Sequence, residues 1–232
     1  MSTTAPLIVI DGGDNVGKAT QADLLSRRLE EAGHRVATID FPQYHQNTFG
    51  RLIDECLQGK HGDFMALDPR IAATLYAADR YESKAQLESW RVEGKIVVLD
   101  RYVSANMLHQ GAKIEDPDER EQFLSWLEHV EYEIFGMPRP DLTIYLDVPP
   151  DESEKLLEYL VGTGVKVVDV AEQDRMHQAK VAACAQYLSS ARDRWVTVQC
   201  LGQEGLRTRE DIHEEVFTLR SEERRVGKEC AT

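Results

Sequence analysis

The chain lacks several features that would set its location. No apolar run approaches the roughly 20 residues of a membrane-spanning helix. The first residues, MSTTAP, have neither the basic start nor the apolar segment of a signal peptide. Its four cysteines, Cys56, Cys184, Cys200 and Cys230, show no C-x-x-C spacing, which argues against a disulfide framework or a zinc site. We therefore expect reduced thiols and a cytoplasmic protein.

Positive charge is also scarce. Lys and Arg number 27 against 41 Asp and Glu, so the net charge is −14. Such a field repels phosphate groups, and we expect no nucleic-acid partner and no membrane partner. If this chain handles phosphates, it must concentrate its cations locally. With 232 residues, no internal repeat and no linker rich in Pro, Gly or Ser, it is long enough for one well-buried domain.

Short β-branched apolar segments alternate with longer helical patterns. In the helical stretch 19–33, for example, Leu24, Leu25 and Leu29 share one face and Gly33 supplies a stop. This alternation predicts an α/β fold with a parallel sheet of about five strands, covered by helices on both faces. Residues 42–66 and 161–172 fit neither pattern, and we expect mobile elements over a cleft there. The predicted strands are PLIVID (6–11), RVATID (35–40), KIVVLD (95–100), LTIYLD (142–147) and WVTVQC (195–200).

Four of the five predicted strands end in aspartate: Asp11, Asp40, Asp100 and Asp147. The carboxyl ends of parallel strands form the edge at which ligands bind in such sheets. Carboxylates there could hold magnesium or sugar hydroxyls. Aspartate after a strand is also a good helix cap, and we favour that alternative for Asp147.

The segment GGDNVGKATQ (12–21) follows the first predicted strand and opens the first helix. Gly12, Gly17 and Lys18 match the phosphate-loop pattern G-x-x-x-x-G-K, in which backbone amides and the lysine surround phosphates. The pattern requires Ser or Thr next, but the chain has Ala19, and Thr20 points about 100° further round the helix. Magnesium could instead be held through water by Asp100. The predicted ATP-phosphate-binding residues are Gly12, Gly13, Asn15, Val16, Gly17, Lys18, Ala19 and Thr20.

Five segments together resemble the thymidylate kinase family, over approximately residues 6 to 215. They are GGDNVGKATQ (12–21), FPQY (41–44), LYAADRYE (75–82), VVLDRYVSANMLHQGAK (97–113) and PDLTIYLDVPP (140–150). The resemblance implies a three-layer αβα P-loop fold with a short lid at about 161–172. It also implies transfer of the γ-phosphoryl group of ATP to dTMP with magnesium, giving dTDP, and a homodimer. We expect 72–90 to form an apolar helix that is the first candidate for the dimer interface.

The resemblance assigns roles to individual residues. Arg101 resembles the clamp on the acceptor phosphate, and Asp100 the carboxylate that orders magnesium or its waters. Asp14 resembles the carboxylate that receives the deoxyribose 3′-hydroxyl. Phe41 and Pro42 resemble the wall of the acceptor pocket.

Further assignments concern the base and the sugar. Tyr76 and Arg80, four residues apart on one helical face, match the residues that stack on thymine and read its O4. Asn106 and Gln110 resemble residues that contact the ring amide and the nearby sugar. His109 falls where an aromatic residue excludes a ribose 2′-hydroxyl.

The chain also departs from the family pattern. Family members usually supply a catalytic arginine in the phosphate loop or the lid, but the loop here has the uncharged Asn15 and Val16. The lid candidate contains only Lys166, flanked by Lys155 and Arg175. We expect the catalytic set Lys18, Asp100, Arg101 and Lys166, although lysine cannot make the forked contact of arginine.

Two alternatives to a thymidylate kinase stay open. One is a kinase of another deoxynucleoside monophosphate, and the other is a nucleotide-binding relative with lost or weak turnover. The donor base has no assigned contact, because no arginine stands near Leu156. Backbone groups of 199–207 could cover adenine.

The last segment, Arg220 to Cys230, resembles the translation of a widely used sequencing-adapter oligonucleotide. We therefore expect 1–219 to form a single nucleoside monophosphate kinase domain and 220–232 to be non-native. The alternative is a charged helix end.

Overall fold

The computed structural model describes residues 4–163, 175–203 and 205–229. The strands are β1 Leu7–Gly12, β2 Val36–Asp40, β3 Ile96–Asp100, β4 Leu142–Asp147, β5 Trp195–Gln199, β6 Leu201–Gly202 and β7 Gly205–Leu206. The helices are α1 Lys18–Glu31, α2 Thr48–Leu57, α3 Pro69–Glu82, α4 Lys84–Val92, α5 Val103–Gly111, α6 Pro117–Glu128, α7 Pro150–Gly162, α8 Arg175–Ala191 and α9 Arg209–Glu229, with a π-helical turn at His129–Ile134. Within these residues, no helix combines the length and the apolar character that crossing a bilayer requires.

The five predicted strands all form, and they pair in parallel in the order β2-β3-β1-β4-β5. Two short strands that the sequence did not predict, β6 and β7, form an antiparallel hairpin after β5. Strand β1 lies at the centre of the sheet, with β3 on one side and β4 on the other. Because the strand order reverses there, a crevice opens at the carboxyl end of β1. The phosphate loop begins at that point.

Alternate strand residues enter two separate cores, one on each face of the sheet. On one face Leu7, Val9 and Leu99 pack with buried residues of α4, α5, α6 and α8. On the other face Ile8 and Ile10 pack against apolar residues of α1 and α9. The three-layer αβα prediction is confirmed, since helices cover both faces of the sheet, as the continuous apolar sequence of its central strands requires.

The prediction that 42–66 contains no core helix is wrong. Helix α2 lies within it and buries Gly50, Ile53 and Cys56. Phe49, Ile53 and Cys56 recur at helical spacing, so the segment carries an amphipathic pattern. Its buried face packs on α3 and forms a third, smaller apolar cluster with Phe64 and Ala72.

The predicted lid, at about residues 161–172, lies at the connection between α7 and α8. Helix α7 extends to Gly162, whereas residues 164–174, with Lys166, lie outside the described part of the chain. At the carboxyl end, α9 continues through Glu229, and residues 230–232 are outside the described residues. That 1–219 is one domain and 220–232 a non-native tail stays a prediction.

Candidate active site

The phosphate loop between β1 and α1 depends on two glycines. A Cβ on Gly12 would lie 2.7 Å from Cγ2 of Val16 and 2.9 Å from the carbonyl oxygen of Leu146, so a larger residue does not fit. Gly17 has a φ of 90°, in the left-handed region that glycine adopts without penalty. Asn15 also lies there, with a φ of 62°, and asparagine is one of the few other residues that tolerate this conformation. The loop sequence therefore matches its backbone at each of these positions.

Lys18 begins α1 and is buried at the base of the loop. Its ammonium donates a hydrogen bond to the carbonyl oxygen of Gly13 at 2.5 Å. Burial and the nearby Arg101 lower the pKa of Lys18 to about 8, although Asp14 and Asp100 oppose them. A bound phosphate would raise the pKa of Lys18, because its negative charge favours the protonated ammonium.

A donor pocket opens beside the loop. All the residues from Asn15 to Thr20 line it, together with Asp100 and Arg101. Its far end is largely apolar, and three of its residues come from the segment 199–207 that the sequence analysis suggested for adenine. The others come from separate elements and were not predicted. These lining residues are Val148, Leu156, Cys200, Leu206, Arg207, Arg209 and Ile212.

Whether the site fits a magnesium ion depends on Asp100. Its Oδ1 is buried and has no hydrogen-bond partner among the described residues. Burial raises the pKa of Asp100, although Lys18 and Arg101 oppose the rise. Within the described chain, no group of three or more His, Cys, Asp or Glu side chains could hold a metal ion by itself. An orphaned carboxylate oxygen beside a phosphate site fits a magnesium ion that keeps waters and binds phosphate oxygens.

The other strand-end aspartates have structural partners. Asp11 is fully buried, and it accepts hydrogen bonds from the backbone amide of Gly12 at 2.8 Å and from the hydroxyl of Ser104 at 2.5 Å. It thereby joins the start of the phosphate loop to α5. Asp147 accepts a hydrogen bond from the side chain of Gln199 on the neighbouring strand at 2.9 Å.

A second cavity, the acceptor pocket, lies on the other side of Arg101. All nine residues predicted for the acceptor nucleotide line it: Asp14, Phe41, Pro42, Tyr76, Arg80, Arg101, Asn106, His109 and Gln110. Its other lining residues were not predicted: Tyr44, Leu57, Met65, Tyr102, Ala105 and His177. Tyr44, Tyr102 and Ala105 lie inside the quoted family segments but had no assigned role, and the other three come from elements with no family motif.

Arg101 lines both pockets and is held by their walls. It adopts a φ of 66°, an uncommon conformation for a residue with a side chain, while its amide donates to the carbonyl oxygen of Ile10 at 3.0 Å. Its guanidinium forms an ion pair with Asp14 and lies 3.1 Å from Nε2 of His109. Burial acts to raise the pKa of Asp14, but Arg101 overcomes it and holds that pKa well below its usual range.

His109 stays uncharged in this setting. Burial outweighs the attraction of Asp14 and lowers the pKa of His109 to about 3. Its ring lies 5.7 Å from the ring of His177 on α8, centroid to centroid. The adjacent Gln178 donates a hydrogen bond to Asp14 at 2.8 Å, so α8 closes this side of the pocket.

Arg80 is buried and bound to a carboxylate that sequence reasoning missed. Its Nε lies 3.1 and 3.2 Å from the two carboxylate oxygens of Glu131, and a second nitrogen also donates to Glu131. A third nitrogen donates to the carbonyl oxygen of Tyr102 at 3.3 Å. Glu131 is fully buried in the π-helical turn. In the sequence it is one of several acidic residues in a charged helix, so nothing marks it as the partner of Arg80.

Helix α5 presents amide side chains to the acceptor pocket. Asn106 donates a hydrogen bond from Nδ2 to the carbonyl oxygen of Ala73 at 3.0 Å, which ties α5 to α3. Gln110 is buried, and its Oε1 has no hydrogen-bond partner among the described residues. That oxygen is a candidate acceptor for a donor group on a ligand.

Comparisons with known proteins agree with this arrangement. A family model for thymidylate kinase matches residues 10–209. The chain is 34% identical to the thymidylate kinase of Mycobacterium tuberculosis over 142 residues, which are 61% of this chain and 65% of that protein. It is 32% identical to the probable thymidylate kinase of Thermococcus onnurineus over 217 residues, which are 91% of this chain and 95% of that protein.

A solved structure supports the fold. The thymidylate kinase of Candida albicans superposes with a TM-score of 0.72 at 24% identity, covering 97% of this chain and 94% of the other. With the family match spanning most of its length, the chain belongs to the thymidylate kinase family.

Proposed function

We propose that the chain transfers the γ-phosphoryl group of ATP to dTMP, giving dTDP, with magnesium. The observation that carries the proposal is the position of Arg101, which lines both the donor pocket and the acceptor pocket. Phosphoryl transfer needs two phosphate groups in line, with their negative charge neutralised between them. A guanidinium at the junction of two pockets meets that requirement, because it can donate in a forked geometry.

The donor phosphates lie in the loop of residues 12–20. Backbone amides and the ammonium of Lys18 bind them, and the apolar end of the pocket receives the base. Bound magnesium supplies charge neutralisation at the transferred phosphoryl group. Asp100 would hold the magnesium ion through water. A hydroxyl at position 19, which Ala19 lacks, would then not be needed. Lys166 is the proposed lid cation.

One group in the acceptor pocket favours thymine over cytosine. Arg80 can only donate hydrogen bonds, which suits thymine O4, whereas Gln110 can turn either its Oε1 or its Nε2 toward N3 of the base. Cytosine presents the opposite pattern, with an amino donor at position 4 and an acceptor at N3. Tyr76 lies on the same helix as Arg80 and offers its ring for stacking.

The remaining assignments concern the sugar and the acceptor phosphate. On binding, Arg101 exchanges its bond with Asp14 for the phosphate of dTMP, and Asp14 receives the 3′-hydroxyl. Phe41 and Pro42 form the wall of the pocket, Asn106 orients toward the ring and sugar, and neutral His109 occupies the space of a 2′-hydroxyl.

The proposed assembly is a homodimer that pairs through α3. The predicted helix 72–90 is divided into two helices, α3 and α4. On α3, Ile71 and Tyr81 are 57% and 52% exposed, and Ile134 in the π-helical turn is 62% exposed. Large apolar side chains with this exposure are typical of interface cores. Sedimentation equilibrium of the full chain tests the pairing.

The catalytic proposal is tested by coupled ADP release from the full chain with magnesium-ATP and dTMP, dUMP, dCMP, dGMP, dAMP or UMP. We expect the highest kcat/KM with dTMP, at least about tenfold above dCMP, because Arg80 would face the amino group of cytosine instead of an acceptor oxygen. Gln110→Met should lower the kcat/KM for dTMP, and Gln122→Met, on the exposed face of α6, should leave it unchanged.

Other outcomes separate the alternatives. A preference for another deoxynucleotide would make the chain a kinase of that substrate. Calorimetric binding of dTMP without turnover would make it a nucleotide-binding relative, and the missing loop or lid arginine would then be the first cause to examine.

A further inference from the structure

The wall of the acceptor pocket belongs to a segment without helical or strand structure. Residues 41–47 connect β2 to α2 and contribute Phe41, Pro42 and Tyr44 to the pocket. Backbone bonds hold the two ends of the segment: the amide of Phe41 donates to the carbonyl oxygen of Asp100 on β3 at 3.0 Å, and the amide of Asn47 donates to that of Gln43 at 3.1 Å. Between these bonds, contacts with α3 hold the segment in place.

A single buried carboxylate makes two of those contacts. Asp79, on α3, accepts the backbone N–H of Gln43 on Oδ2 at 3.1 Å and the side-chain amide of Asn47 on Oδ1 at 3.0 Å. The same amide of Asn47 donates to the carbonyl oxygen of Asp79 at 2.8 Å and to the hydroxyl of Ser83 at 3.0 Å.

Burying the carboxylate of Asp79 costs free energy. It is fully buried, and its neighbour Arg80 is directed instead to Glu131. Burial raises the pKa of Asp79, while the hydrogen bonds from Gln43 and Asn47 counteract the rise. A carboxylate without a hydrogen-bonded cation is retained in an interior only where its donors are well placed.

The contact is also sterically tight. A Cβ on Gly50, in the first turn of α2, would lie 2.0 Å from the carbonyl oxygen of Gln43 and 2.9 Å from Oδ1 of Asp79. The segment cannot shift toward α2, so the carboxylate and the glycine fix it from two sides.

Helix α3 thus carries two sets of residues. Tyr76 and Arg80 face the acceptor pocket, and Asp79 holds the opposite wall. We propose that Asp79 is a positioning residue that sets the distance between the Phe41–Pro42 wall and the base-contacting residues, and thereby the affinity for the acceptor nucleotide, without touching it. The inference rests on the proposed function, since it concerns the dTMP site.

The test is steady-state kinetics of Asp79→Asn in the full chain. The new amide has the same shape, but one of its two ends now donates and opposes the N–H of Gln43 or the amide of Asn47. We expect the KM for dTMP to rise about tenfold, the effect of one lost charged hydrogen bond. The kcat and the KM for ATP should stay within about twofold.

A second substitution tests the contact from its other side. Asn47→Ala removes the side-chain amide that donates to Asp79 and leaves the N–H of Gln43 in place. We expect a milder rise of about threefold in the KM for dTMP, with the KM for ATP unchanged. This variant also keeps the proposal testable if Asp79→Asn does not fold.

Glu82 offers a matched control on the same helix. Its carboxylate accepts the backbone amides of Thr48 and Phe49 at 3.2 and 2.8 Å, but it is exposed and holds the start of α2 rather than the wall. Glu82→Gln should change the KM for dTMP less than twofold.

The proposal is overturned by an unchanged KM for dTMP in folded Asp79→Asn or, if that variant does not fold, in Asn47→Ala. It is also overturned by equal losses for both substrates. Each of these results is compatible with dTMP phosphorylation by the parent chain, so the proposed function would stand. A parent chain that neither binds nor phosphorylates dTMP would overturn the proposed function as well.

Discussion

The acceptor pocket takes its polar side chains mainly from α3, α5 and α8, whereas the donor pocket is built around one loop, through whose backbone we propose it binds phosphates. Apolar residues from four different parts of the chain close its far end, among them Val148, Leu156, Leu206 and Ile212. Side chains on a helix keep a fixed spacing, so the acceptor site leaves a readable pattern in the sequence. The apolar end of the donor pocket leaves none, because any core residue looks the same.

The largest expected effect separates the two pockets. Lys18→Met should lower kcat by about 10³-fold, since the buried ammonium neutralises charge on the transferred phosphoryl group. Calorimetric affinity for dTMP should change little, because Lys18 lines only the donor pocket. A loss below tenfold, or an equal loss of dTMP affinity, would contradict this division.

The second prediction concerns the support of the acceptor pocket. Glu131→Gln should lower the free energy of unfolding by about 3 kcal/mol, because it leaves Arg80 buried without its countercharge. Urea unfolding measures the change. Glu133→Gln, two residues away, is the control: its ion pair with Arg139 is 3.0 Å long but over half exposed, and its loss should cost at most about 0.5 kcal/mol. Equal effects would mean that burial of the Arg80 pair is irrelevant.

These two predictions show what the sequence could and could not reveal. Arg80 was identified because the spacing from Tyr76 and the surrounding motif mark it, but Glu131 was not. It lies 51 residues from Arg80 in a π-helical turn, and only folding brings the two together. Strands were predicted well because continuous β-branched runs have few alternatives. Helix α2 was missed although its apolar spacing is helical.

The third prediction concerns pH and the acceptor pocket. The pKa of His109 is lowered from 6.5 to about 3 by burial, so the unfolded chain binds the proton first. The stability contribution of neutral His109 is therefore complete above pH 6.5 and is lost as the pH falls toward 3. Between pH 7 and 5.5, the parent should lose about 1 kcal/mol more than His109→Phe in urea unfolding. Identical losses would show that the imidazole titrates normally.

The smallest expected effect lies at the unpredicted end of the donor pocket. Arg209 lines that pocket, and its side chain makes no hydrogen bond or ion pair with the described residues, while Gln21 holds its carbonyl oxygen at 2.9 Å. A guanidinium in this position can pack on a donor base. Arg209→Met should raise the KM for ATP about threefold and leave the KM for dTMP unchanged. A change in the KM for dTMP alone would contradict the assignment of Arg209 to the donor pocket.

The contrast between the pockets depends on their meeting at Arg101, and Arg101→Lys tests that point most directly. The substitution keeps the charge but removes the forked geometry. With both substrates varied, the account predicts that kcat falls about 100-fold while the KM for dTMP rises. Unchanged kcat and KM values would contradict the claim that one guanidinium serves the phosphates of both substrates.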